Sequence, residues 1–132
     1  MVKVLIHTDT RYPVNRKVIR AAVADVFVKN KIASSDAEVS VAVVGERKMK
    51  DLSGKYLSDG KNHEILTFAL EDASDVRGGF VNPPDEVLRL GDVVLCWPQV
   101  LALAAKDDVL VDDEVYFLIS HGVEHLLGKH HE

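Results

Sequence analysis

A chain of 132 residues with 47% hydrophobic and 28% charged residues has the size of one domain and the composition of a folded protein rather than a disordered one. Its formal net charge of −5 excludes a protein that coats nucleic acid through a broadly basic surface, so any RNA contact must be local. The longest apolar run, about Val93 to Ala105, contains Pro98 and Gln99 and is too short to span a bilayer. The start turns polar at His7-Thr8-Asp9 before a signal-peptide core forms, and the lone Cys96 permits no internal disulfide. A single cytoplasmic domain over residues 1–132 is expected, with Cys96 a small buried hydrophobe and no catalytic role for it.

In chain order, Val2, Val4 and Ile6 alternate as in a strand, and Tyr12-Pro13 punctuates the chain before a helical pattern. Val18, Ala22, Val26 and Ile19, Val23, Phe27 recur at fourfold spacing and predict a helix from about 13 to 29. Ala37 to Val44 alternates through Val39, Val41 and Val43 as a strand with one or both faces buried, ended by Gly45. Met49, Leu52 and Tyr56 mark one side of a short helix, followed by a loop at Ser58-Asp59-Gly60 and a short strand over His63 to Phe68. Glu71 to Glu86, with Gly78-Gly79 and Pro83-Pro84, reads as a surface loop, and Gly91 to Cys96 as the next strand.

Pro98 suits the start of an apolar helix running to about Lys106, where Asp107-Asp108 interrupts it. A longer helix follows, capped by Asp112 or Asp113, with Val115, Leu118, Ile119, Gly122 and Leu126 on its buried side. Gly128 stands where that helix would stop, because glycine takes the left-handed C-terminal cap without steric cost. Two cationic groups, Arg16, Lys17 and Arg20 on the first helix and Arg47, Lys48, Lys50 and Lys55 around the second, are candidate RNA contacts or ordinary solvated helix faces.

Four of the six histidines fall in the last dozen residues. His121 and His125 are four apart, so a helix stacks them on one face at a separation suited to one metal ion. After a turn at Gly128, His131 completes a set of three imidazoles with a coordination position left for water, which is the usual form of catalytic zinc. The spacing resembles that of metzincin proteases, but those carry a glutamate after the first histidine as general base, and here that residue is Gly122. Peptide hydrolysis is therefore disfavoured. Glu124 points about 100° around the helix from His125 and is not expected to act as the base.

The order His121-Gly122, His125-Leu126, Gly128 and His131 resembles the signature of the YbeY family of metal-dependent endoribonucleases, the ribosomal RNA maturation factors. Two further stretches resemble that family in the expected order: His63 to Phe68, and Gly91-Asp92-Val93-Val94-Leu95. The resemblance implies an α/β (α+β) fold with a mixed sheet of about four strands, helices on its faces and a metal-binding histidine helix. It implies His121, His125 and His131 as ligands of one divalent ion, most simply zinc, and an RNA substrate, an rRNA precursor, with the ribosome or ribosomal proteins as partners. Neither a membrane nor DNA is among the expected partners. Two residues depart from the family: His130 stands where it usually has aspartate and is an alternative ligand, and Leu57 stands where it carries an arginine, removing a phosphate-binding group. Besides the endoribonuclease, the residues leave open a metal hydrolase of another substrate and a ribosome-associated factor with a structural metal.

Overall fold

Alternation of valine through the second strand lets it be covered on both faces, and that requirement organises the molecule. The computed structural model describes residues 1–9, 11–70 and 87–131, the last three by their backbone alone. The elements are β1 (Val2–Thr8), α1 (Arg16–Lys29), β2 (Ala37–Val44), α2 (Glu46–Tyr56), β3 (Ile65–Ala69), β4 (Leu88–Cys96), α3 (Trp97–Asp107) and α4 (Val111–His131). The strands make one sheet in the order β1-β2-β4-β3, with β1, β2 and β4 parallel and β3 antiparallel to β4 at the edge. The mixed four-stranded α+β fold read from the sequence is therefore found. The expected loop from Glu71 to Glu86 lies outside the described residues.

Val39, Val41 and Val43 face a core shared with α1 and α4, where Ile19, Phe27 and Ile119 are fully covered. The opposite face of the sheet is smaller and holds Met49 of α2 against Leu66, Val94 and Cys96. Burial pushes the Cys96 thiol above its ordinary pKa, which suits an inert core residue. Helix α1 starts later than its apolar spacing suggests, because the Asn15 side chain accepts a hydrogen bond from Lys17 N at 3.0 Å and fixes the first turn there.

β4 carries one extra residue: Glu38 pairs with Arg89 and Val39 with Gly91, leaving Leu90 as a bulge. Gly91 has φ 138°, and a Cβ there would stand 2.1 Å from the carbonyl oxygen of Phe68. Only glycine fits this crossing of β3 and β4.

Helix α4 departs from expectation at both ends. Glu114 N donates to Leu110 O at 3.1 Å, so Asp112 and Asp113 lie inside the first turn and neither is the cap. There they offset the positive end of the helix dipole. At the other end α4 runs through Gly128 to His131, so the predicted stop at Gly128 is corrected. Among the described residues nothing lies within 4 Å of the position a Gly128 Cβ would occupy. No described neighbour draws the chain aside there, and the backbone ladder continues at the modest cost of a helical glycine, about 1 kcal/mol.

Candidate metal centre on helix α4

The histidine pair owes its position to the residue between them. Gly122 is buried, and a Cβ on it would stand 3.0 Å from Ile65 Cδ1, 3.2 Å from Val93 Cγ1 and 3.3 Å from Thr67 Cγ2. The missing side chain lets the α4 backbone settle onto β3 and β4. Val115, Leu118, Ile119, Gly122 and Leu126 are all buried, as their spacing predicts, while His121 and His125 remain exposed at the margin of that face. The two are separated by about 40° around the helix and one turn along it.

β3 forms the wall beside them. Cys96 N donates to Glu64 O and Leu70 N to Leu90 O, both at 3.1 Å. Because hydrogen-bonded pairs alternate along an antiparallel ladder, Ile65, Thr67 and Ala69 turn their backbone N–H and C=O groups away from β4, towards the outer edge of the sheet. Tyr56 and Phe68 pack on the other face of the strand, their ring centroids 5.0 Å apart. The C-terminal end of α2 is thus separated from the histidines by the edge of β3.

Along α4, Phe117 precedes His121 by one turn, with its ring nearly parallel to the imidazole at 12° and a centroid separation of 6.2 Å. Glu114, seven residues before His121, lies within about 20° of it around the helix. Only 4% of Glu114 is exposed, and its Oε1 has no hydrogen-bond partner. Burial, a hydrogen bond with Asp107 and the charges of Asp107 and Glu64 all raise its pKa. Sequence reasoning missed this residue, although the sevenfold spacing from His121 places it on the histidine side.

Glu124 turns the other way: its Oε1 accepts from Asn30 Nδ2 at 2.6 Å, and its Oε2 lies 3.7 Å from Lys29 Nζ. Both contacts tie it to α1. Of the cationic groups, Arg20 donates to Val4 O at 3.0 Å, while Arg16, Lys17, Arg47, Lys48, Lys50 and Lys55 are exposed on their helices. Leu57, the C-terminal cap of α2, is also exposed.

Two imidazoles four residues apart fit a divalent ion as donors. The backbone does not bring the third beside them. His131 lies ten residues beyond His121 on one continuous helix, about 15 Å along its axis, whereas donors to one zinc each lie about 2 Å from it. Among the described residues no three His, Cys, Asp or Glu side chains are grouped to hold a metal ion. The side chains of His130 and His131 lie outside those described.

The family model for "Endoribonuclease YbeY" matches residues 6–132. This chain belongs to the YbeY family. A YbeY endoribonuclease of Dehalococcoides mccartyi is 33% identical over 115 residues, covering 83% of this chain and 67% of the relative. One of Syntrophotalea carbinolica is 30% identical over 130 residues, covering 97% and 81%. The solution structure of TM1509 from Thermotoga maritima shares the fold, with a TM-score of 0.61 and 21% identity over 100% of this chain and 75% of that one. Among the described residues no helix is long and apolar enough to cross a membrane.

Proposed function

We propose that this YbeY chain is a metal-dependent endoribonuclease that cuts single-stranded RNA during ribosomal RNA maturation in the cytoplasm. The observation that carries the reading is the exposed His121 and His125 pair held against β3 by Gly122, within a chain matched by the family from residue 6 to 132. His121 and His125 would hold one divalent ion, most simply zinc, with His131 as third donor once the turn after Gly128 unwinds. When bound, such an ion supplies positive charge beside a phosphate and makes water easier to deprotonate.

The protein's own part is orientation. Close packing of α4 on the sheet fixes the imidazole pair relative to β3, so a strand lying along that edge meets both histidines in one geometry. Binding to free RNA is weak in this reading, because the chain is acidic and Leu57 offers a phosphate nothing. The ribosome or a ribosomal protein then presents the strand.

Cleavage of free and ribosome-held precursor RNA by protein without an affinity tag tests this. Chelation should abolish cutting, added zinc should restore it, and His121→Ala should remain inactive. If the wild-type protein and His121→Ala behave alike on both substrates, the nuclease reading is wrong.

A further inference from the structure

We propose that Phe117 is a stacking platform for one base of the RNA strand, placed beside the His121 and His125 pair. This rests on the endoribonuclease reading and adds a specificity-determining residue to it. Phe117 is 63% exposed, an unusual state for a large apolar ring in the middle of a helix whose other face supplies the core. Its ring lies at 12° to that of His121. The side turned from the histidine therefore continues a stack already begun at the candidate centre.

Electrostatics argue for a base rather than a phosphate here. Asp112, Asp113 and Glu114 occupy the first turn of α4, and the chain carries a net charge of −5. Phosphate is repelled by such surroundings, whereas a neutral base loses little. Single-stranded RNA exposes unstacked bases, and aromatic side chains bind them without needing a basic surface. Tyr56 is also an exposed ring, but it packs against Phe68 on the opposite face of β3, away from the histidines. Among the described residues, Phe117 is the ring that stacks on one of them.

The test is cleavage kinetics of zinc-loaded protein on short single-stranded RNA, with metal content measured for each variant. Phe117→Ala and Phe117→Leu should raise KM about 5- to 150-fold, the span of aromatic–base stacking, with a smaller change in kcat and unchanged metal content. Phe117→Trp should restore KM. Removing a single base from the RNA near the cut should raise KM for the wild type and have no further effect in Phe117→Ala. If the wild type cuts RNA and Phe117→Ala or Phe117→Leu retains its KM, the platform is refuted while the nuclease reading stands. An effect of Phe117→Ala confined to ribosome-held RNA would assign the ring to a protein contact and equally overturn the proposal. If the wild type cuts no RNA, both fall together.

Discussion

Gly122 and Val93 approach so closely that a methyl group on the glycine would stand 3.2 Å from Val93 Cγ1. Substituting alanine has two opposed effects on stability. It gains about 1 kcal/mol of helix propensity and loses about 1 kcal/mol or more to crowding against Ile65, Val93 and Thr67. Gly122→Ala should therefore unfold near the wild-type temperature while α4 stands a few tenths of an ångström further from β3. RNA cleavage should fall about tenfold or more, because small misplacements of reacting groups are costly. Wild-type activity together with wild-type stability would show that this close approach does not position the histidines.

The continuity of α4 through Gly128 makes a prediction about metal binding. If His131 is the third ligand, the last turn must leave the helix, so zinc should reduce helical content and change amide hydrogen exchange at residues 128–131. Gly128→Ala makes the helix about 1 kcal/mol harder to unwind and should weaken zinc affinity about fivefold. His131→Ala should weaken it by about 100-fold or more, since losing even a supporting contact to a ligand costs about 10- to 100-fold. Unchanged affinity in His131→Ala would assign the position to His130 instead.

Glu114 is a buried carboxyl with an unpartnered oxygen and no nearby cation to relieve it among the described residues. Burial first, then Asp107 and Glu64, hold its folded pKa above the ordinary value, so folding favours the protonated form. Its contribution is most favourable below the unfolded carboxylate pKa and is lost as pH rises through the higher folded pKa. Glu114→Gln should accordingly raise Tm at pH 7 and give a smaller gain near pH 4. A drop in Tm at pH 7, measured by thermal denaturation, would mean that the carboxylate form is stabilising.

Tyr116 of α4 donates a hydrogen bond to Asp25 Oδ2 of α1 and so ties together the two helices on the larger core face. That bond, with burial and the charge of Asp25, raises the tyrosine pKa above its ordinary value near 10. Because the folded pKa is the higher, the bond's stabilisation is complete below the unfolded pKa and is lost as pH rises through the folded one. Tyr116→Phe should be less stable than the wild type at neutral pH, and the two should converge in alkaline solution. A constant difference between them across that range would count against the bond.

The sequence by itself determined the elements whose burial pattern repeats over several turns or pleats. Valine alternation marked β2, fourfold spacing marked α1, and the stripe from Val115 to Leu126 marked the buried side of α4, leaving His121 and His125 at its margin. These are local periodicities, and the larger core, which takes Val39, Val41 and Val43 of β2 together with the buried sides of α1 and α4, satisfies them all. The spacing also showed that the two histidines lie together, because four residues on a helix fix their separation whatever surrounds them.

What local pattern does not encode, tertiary contact decided. Gly122 looked like one member of a motif, yet its role is set by Ile65, Thr67 and Val93, which come from two distant strands. Local pattern does not single out Glu114, whose surroundings are made by Asp107 at the end of α3 and Glu64 just before β3. Gly128 has the residue type of a helix stop, but a glycine only permits the left-handed conformation and does not compel it. With no described residue packed near its Cβ position to redirect the chain, helical hydrogen bonding carries α4 on to His131.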